Sequence, residues 1–212
     1  MFGNENASRV WKGEEERFFL PSLDFPNFKD ISLEMKWLKK FSSQDLLYIV
    51  IFSALGLAIK PIVTPLVHLI STPLMIPGGS LAGGLYMMWI SLTIATINKT
   101  GAGFLVGLVQ AIVMLSLGFF GNHGAVSLIS YTLPGIAGEI VAKFFRDNKT
   151  VFAQTWICAS ANISGSIVVT ILVMRLALIP FLISTIAAAI SGIIGGILSY
   201  KLFQKLRNYN IL

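Results

Sequence analysis

Negative charge is scarce in the central part of this sequence. Between Leu46 and Tyr200 there are only two carboxylates, Glu139 and Asp147, and most other residues are apolar. Charged residues make up 12% of the 212 residues and hydrophobic residues 55%, whereas a soluble domain is about 25% charged. Hydrocarbon offers a peptide group no hydrogen-bond partner, so each apolar stretch must form a helix that satisfies its own backbone. The sequence therefore predicts an all-α, polytopic membrane protein.

Several motifs of enzymes and secreted proteins are missing as well. Cys158 is the single cysteine and lies in an apolar run, which predicts a packing role rather than a disulfide or a metal site. The first forty residues are charged and lack the apolar centre of a cleavable signal peptide, so we expect the first span to act as its own insertion signal. The sequence has no Gly-x-x-x-x-Gly-Lys-Ser/Thr loop and no His-Glu or cysteine cluster. We therefore expect no cofactor, no metal and no enzyme.

Short connections rich in Gly, Asn, Lys and Pro divide the apolar sequence into six stretches. Each has about the length that crosses a bilayer, roughly 17–25 residues. They are 46–63, 80–97, 102–120, 125–145, 151–174 and 177–200. Asp45, following Ser42, marks the start of the first helix, where a carboxylate meets the positive end of the helix dipole. The predicted architecture is a bundle of about six transmembrane helices over residues 45–212.

Positive charge sets the predicted orientation. With an even number of spans both termini share one side, and that side holds every Lys and Arg except Lys60 and Arg175. The positive-inside rule then makes both termini cytoplasmic. The net charge of +6 follows from this topology and from contact with anionic lipid, and gives no support for nucleic-acid binding.

The segment 1–44 differs from the rest and is predicted to be cytoplasmic. Residues 30–41 carry apolar side chains at helical spacing, Ile31, Met35 and Leu38, with Trp37 and Phe41 beside them. That spacing predicts an amphipathic helix on the membrane surface, which serves as an interfacial anchor or as a docking element for a cytoplasmic partner.

The connection after the first span is unusual because it is both proline-rich and apolar. Residues 61–79 contain four prolines and many aliphatic side chains. An external loop of this kind is expected to fold back onto the bundle, since water would otherwise meet an apolar patch. It is a candidate lid over an external cavity, or a re-entrant or tightly packed loop.

Small residues recur at four-residue spacing in three spans. The pairs are Ala54 and Ala58 with Gly56 between them, Gly103 and Gly107, and Gly192 and Gly196. Small side chains let helices approach closely in lipid, so these patterns by themselves predict internal packing.

Six short spans, the Ala54-x-x-x-Ala58 pattern and a long apolar first external loop together resemble the substrate-binding S component of energy-coupling factor (ECF) vitamin transporters, over roughly residues 46–200. The run Gly101-Ala102-Gly103 and the segment 134–141 resemble the branch for thiamine precursors such as hydroxymethylpyrimidine. The resemblance implies capture of a vitamin or vitamin precursor in the plasma membrane of a prokaryote. It also implies a transmembrane coupling protein that contacts Ala54, Gly56 and Ala58, and two cytoplasmic ATPases of an ABC-type importer.

Polar and aromatic residues inside the spans are the candidate ligand contacts, because a polar group in lipid is costly without a partner. We expect a cavity that opens outward between spans two, four, five and six, with Trp89 stacking on a flat ring. Hydrogen bonds would come from Asn122, His123, Tyr131, Glu139 and Asn162. Each has an alternative: Asn122 and His123 suit a turn, Tyr131 an interfacial anchor, Asn162 a helix–helix hydrogen bond, and Glu139 an ion pair with Lys143 one turn on.

Other functions fit the same spans less well. A small secondary carrier, a channel or a membrane assembly protein would need no ATPase partners. An intramembrane hydrolase would need Ser164 or Ser166 to meet His68 or His123, although these serines are predicted near mid-membrane and both histidines outside it. Co-purification separates these hypotheses, because an S component should bring a coupling protein and ATPases with it.

Overall fold

The computed structural model describes residues 35–73, 76–117 and 126–210, and every regular element in these ranges is a helix. The predicted all-α class is thus confirmed. The chain divides into residues 1–40, of which only a short 3-10 helix at Met35–Lys40 is described, and a larger unit of residues 41–212. Of the predicted amphipathic helix, residues 30–34 lie outside the described residues, and residues 35–40 form this 3-10 helix. The helices of the larger unit are α1 Ser43–Ala58, α2 Lys60–Ser71, α3 Gly78–Ile97, α4 Ala102–Leu117, α5 Val126–Ala142, α6 Val151–Val168 and α7 Leu178–Asn208.

Each of the six predicted spans overlaps a helix of the bundle. Four helical runs are long and apolar enough to cross a membrane: Ser43–Ser71, Gly78–Ile97, Val151–Val173 and Leu178–Asn208. The two others, α4 and α5, are apolar but have only 16 and 17 residues. Membrane-spanning helices are therefore present, while the count of six crossings and the orientation stay predictions.

The first helix begins where its sequence predicts. The Ser42 hydroxyl accepts a hydrogen bond from the Asp45 N–H at 3.2 Å, and the Asp45 carboxylate accepts one from the Ser42 N–H at 2.7 Å. This reciprocal capping box satisfies two backbone donors at the start of α1. Asp45 also pairs with Lys99, which follows the end of α3, so both helices are tied together at this end of the bundle.

The prediction of a loop over residues 61–79 was wrong for residues 61–71, which belong to α2. Ile59 keeps right-handed helical angles, φ −74° and ψ −22°, so α1 runs into α2. Pro61 lies in the first turn of α2, where a missing N–H costs little, and Pro65 is accommodated inside the helix. The aliphatic side chains that suggested an apolar loop form one outward face of this helix. Four of them are more than half exposed: Ile62, Leu66, Leu69 and Ile70.

Glycines bring the helices of the bundle into close contact. A Cβ atom on Gly103 of α4 would come within 2.9 Å of the Gly135 carbonyl oxygen in α5, and one on Gly192 of α7 within 2.6 Å of the Ala159 Cα in α6. Only a residue without a side chain permits these approaches. The internal packing predicted for the glycine pairs of α4 and α7 is confirmed.

The bundle is apolar outside and contains small polar groups inside. Leu47, Leu178 and Ile179 are 57%, 70% and 71% exposed, whereas Gln154 is fully buried. Gln154 links three helices, because its backbone carbonyl accepts from the Ser91 hydroxyl at 3.0 Å and its Oε1 from the Ser199 hydroxyl at 2.7 Å. This distribution suits a protein surrounded by lipid, where exposed apolar surface carries no penalty.

Candidate ligand-binding cavity

A cavity of about 530 Å³ lies between α2, the start of α3, the start of α5 and the end of α6. Its size is within the roughly 300–1,000 Å³ of small-molecule sites. A π-helical turn, Val169–Val173, continues α6 and supplies part of the wall. The polar and aromatic side chains on the wall are Lys60, Thr64, His68, Ser80, Tyr86, Ser130, Tyr131, Asn162 and Ser166.

Lys60 is the most unusual residue of the cavity. It is the first residue of α2, only 8% exposed, and its ammonium lies 3.9 Å from the centroid of the Tyr131 ring and 5.3 Å from that of Tyr86. Aromatic faces attract a cation within about 6 Å. Within the described residues no carboxylate forms an ion pair with Lys60. The ion pair that these residues contain joins Asp45 and Lys99.

The tyrosines around Lys60 are fixed by their own helices. Tyr86 is buried in α3 and its hydroxyl lies 3.1 Å from the Thr64 hydroxyl of α2. Tyr131 projects from the first turns of α5. Three helices therefore build one aromatic corner of the cavity around a single cation.

Asn162 supplies a carboxamide to the same cavity from α6. It is 2% exposed, and its Nδ2 donates to the Ala188 carbonyl of α7 at 2.8 Å and, more weakly, to the Ser80 carbonyl at 3.5 Å. Its Oδ1 accepts no hydrogen bond from the described residues and lies against Gly83, where a Cβ atom would overlap it. Asn162 thus acts as a helix–helix link through its nitrogen and keeps an unused acceptor.

Two serine hydroxyls on the cavity wall bond to one another. The Ser80 and Ser166 oxygens are 2.6 Å apart and join α3 to α6. The Ser164 hydroxyl donates to the Ala161 carbonyl of its own helix at 2.9 Å. Both serines considered as nucleophiles therefore have hydrogen-bond partners other than the His68 imidazole.

The sequence-predicted site residues that the structure describes do not form one site. Tyr131 and Asn162 line the cavity. Trp89 lies elsewhere, in a cluster with Phe52, with 6.2 Å between ring centroids. Asn122 and His123 lie outside the described residues. The walls also differ from the prediction: α3, α5 and α6 contribute as expected, but α2 takes the place expected for the last span.

The Glu139 carboxylate bonds to the backbone of α4, a contact that neither of its sequence-based assignments anticipated. Its Oε1 accepts from the Gly103 N–H at 2.8 Å and from the Phe104 N–H at 3.4 Å, at the start of α4. No ion pair with Lys143 forms in the described part of the chain. Its carboxylate lines a separate cavity of about 200 Å³ at the other end of the bundle.

The residues expected to contact a coupling protein face two directions. Ala54 and Ala58 are exposed on the outer side of α1. Gly56 is buried, and a Cβ atom there would lie 2.6 Å from Gln110 Nε2 and 3.2 Å from Trp89 Cδ1. Gly56 therefore faces the bundle and only the two alanines are available to a partner.

Sequence reasoning missed Lys60, Tyr86 and the Ser80–Ser166 pair. A signal was present for Lys60, since it is one of two basic residues outside the predicted cytoplasmic side and has no acidic neighbour in the sequence. The strings that suggested the thiamine-precursor branch, 101–103 and 134–141, do not line the cavity. Gly103 and Gly135 are instead helix-packing residues of α4 and α5.

The described residues contain no group of three or more His, Cys, Asp or Glu that could hold a metal ion. Among the described lining residues His68 is the single imidazole, and Cys158 is buried in α6 as expected of a packing residue.

A family model for the permease component of ABC-type cobalt transport systems matches residues 44–164. These residues include the whole of α2 to α5 and the first part of α6, and with them Lys60, Tyr86, Tyr131 and Asn162. No curated protein and no solved structure matches the chain.

Proposed function

We propose that this chain, which belongs to the family of permease components of ABC-type cobalt transport systems, is the substrate-capture (S) component of an ECF-type importer. Membership makes it a membrane component of an ABC-type transporter, which works with ATPases and other transporter subunits. The proposal goes further in assigning it the binding of the substrate, a vitamin or vitamin precursor.

The cavity beside Lys60 carries this proposal. It is formed within one chain, has the volume of a small-molecule site and combines apolar walls with a few polar groups from several helices. A subunit that only anchored or assembled a transporter would not need such a cavity. Under the predicted orientation the cavity lies at the external end of the bundle, where substrate arrives.

An organic molecule suits these side chains better than a cobalt ion. First-row transition metals favour imidazole and thiolate ligands, and a site normally combines several of them. The described part of the wall has one imidazole, His68, and the ammonium of Lys60, which repels a cation. Tyrosine rings and a carboxamide are instead typical contacts of a flat organic compound.

We propose binding without catalysis as the task of this chain, with transport energy from separate ATPases. The exposed Ala54 and Ala58 form the contact with the transmembrane coupling protein, because small side chains allow close helix approach in lipid. A carrier or channel that works alone would not depend on this face.

Affinity purification of the tagged protein from the membranes of its own host tests the proposal. We expect a transmembrane coupling protein and two ATPases to co-purify, and substrate uptake to stop when the ATPases are inactivated by substitution of their phosphate-loop lysines. Uptake that continues without the ATPases would contradict the proposal and favour a secondary carrier. Titration of the purified protein with CoCl₂ should give no heat of saturable binding; a saturable site would favour the ion as substrate.

A further inference from the structure

Among the residues that the structure describes, the Lys60 ammonium has neither a counter-ion nor a hydrogen-bond acceptor. The residue is 8% exposed and lies in the wall of a cavity, with aromatic faces at 3.9 Å and 5.3 Å. A ring face attracts the positive charge, but it does not replace oxygen acceptors for the three N–H groups of an ammonium. A buried cation in this position is costly until an anion joins it.

The carboxylates of the bundle are engaged elsewhere. Residues 41–212 contain three of them, Asp45, Glu139 and Asp147. Asp45 pairs with Lys99, Glu139 accepts from the start of α4, and Asp147 accepts from the Lys149 N–H at 2.9 Å. None of these three lines the cavity, and His68 is the other basic side chain among its described lining residues. The described wall of the cavity is therefore electropositive.

We propose that Lys60 is the counter-ion for an anionic group, a carboxylate or a phosphate, on a small water-soluble substrate. This inference rests on the proposed function and specifies the substrate class for the same cavity. The anion lies at the corner formed by Lys60, Tyr86 and Tyr131, and the rest of the molecule extends towards Asn162. The unused Oδ1 of Asn162 accepts a hydrogen bond from an N–H or O–H group on that part of the ligand.

Four probes that share one ring test the charge requirement: benzoate, phenyl phosphate, benzyl alcohol and benzylammonium. Their affinities are measured as concentration-dependent shifts of the melting midpoint of the full-length protein in detergent. We expect the wild type to bind at least one anionic probe and to bind it more tightly than the alcohol or the ammonium. Equal binding of benzyl alcohol and the anions, or no binding of either anion, would overturn the proposal.

Lys60→Met, an uncharged residue of similar length, should weaken binding of the anionic probe by about 10- to 150-fold and leave the neutral probe unaffected. Lys60→Arg should retain preference for the anion, and Lys201→Met, an exposed lysine of α7, should behave as the wild type. Wild-type affinity of Lys60→Met for the anion would contradict the assignment.

Mass spectrometry of compounds released from the purified wild type needs no variant and covers the case that Lys60→Met does not fold. We expect a compound with a carboxylate or phosphate group. A neutral or cationic compound, or a phospholipid as the sole anion, would overturn the proposal. Co-purification of the ATPases is independent of these outcomes, so failure of the charge assignment and failure of the transport assignment can be told apart.

Discussion

The carboxylate of Glu139 in α5 accepts a hydrogen bond from the backbone N–H of Gly103 in α4, with 2.8 Å between Oε1 and N. The same oxygen also accepts from the Phe104 N–H. A negative charge thus meets the positive end of the α4 dipole and accepts from backbone donors in the first turn of that helix. Glu139 lies eight residues beyond Tyr131, about 12 Å further along α5, which separates it from the cavity.

Substitution of Glu139 should therefore change stability and leave ligand binding intact. Glu139→Ala leaves the Gly103 donor unpaired and should lower the free energy of unfolding by about 1–3 kcal/mol. Glu139→Gln keeps an acceptor but removes the charge, and should cost about 0.3–1 kcal/mol. Thermal denaturation and ligand titration of both variants provide the measurement. Weaker ligand binding by Glu139→Gln at an unchanged melting midpoint would instead support the sequence-based assignment of Glu139 to the ligand.

Ala54→Leu and Ala58→Leu should stop uptake without loss of ligand affinity, because both side chains point away from the bundle. Transport assays in vesicles and titration of the isolated protein measure the two properties separately. Gly56→Leu is the matched control on the same helix: it should reduce stability, since its side chain would collide with Gln110 and Trp89. Normal transport by both alanine variants would place the coupling contact elsewhere.

Asn162→Ala should weaken binding of the co-purified ligand by about 5- to 150-fold, since the ligand loses a hydrogen-bond acceptor in a buried site. Gly83→Ala should have a similar effect without removing the carboxamide, because the new methyl group displaces Oδ1. Gly79→Ala is the control, as open space surrounds that position on the same cavity wall. Unchanged calorimetric affinity of Asn162→Ala and Gly83→Ala would leave Asn162 with its structural bond to Ala188 alone.

A spin label at position 69 should lose mobility when the ligand binds, if α2 closes against the cavity. Leu69 is 75% exposed on the outer face of α2, whereas Lys60, Thr64 and His68 of the same helix line the cavity. The native Cys158 is fully buried, so it should not react with the label. A label at Leu47, which is exposed near the start of α1 and away from the cavity, is the comparison position. If the label at position 69 gives the same spectrum with and without saturating ligand, α2 does not close on binding.

The sequence predicted the helices of the bundle because the requirement for internal hydrogen bonds in lipid leaves one choice for each long apolar run. It failed at residues 61–71, where the four prolines of the segment 61–79 favoured a loop. Pro61 sits in the first turn of α2, and Ile59 continues the helical angles of α1, so prolines that punctuate the sequence do not stop the helix. Whether a proline stops a helix depends on its position relative to the helix start, and composition does not encode that position.

The site was harder to predict than the fold. Tyr131 and Asn162 were identified because they are polar groups within apolar spans, and both line the cavity. Trp89 and Glu139 satisfied the same criterion but have partners inside the bundle, Phe52 for one and the start of α4 for the other. A sequence read without spatial neighbours cannot tell a residue that serves helix packing from one that faces a cavity. Lys60 shows the opposite case: it lines the cavity but was not among the residues predicted for the site.

The uninterrupted helical path through Ile59 has a thermodynamic consequence. Ala58, on the outer face, and Lys60, in the cavity, are two residues apart on one helical run, so a substrate and a coupling protein would act on the same structural element. Binding energies that act on a shared element are reciprocal: the factor by which the coupling protein weakens substrate binding equals the factor by which substrate weakens binding of the coupling protein. The loss of substrate affinity when the coupling protein binds, and the gain in affinity for the coupling protein when the substrate is absent, would then be two measurements of one coupling constant.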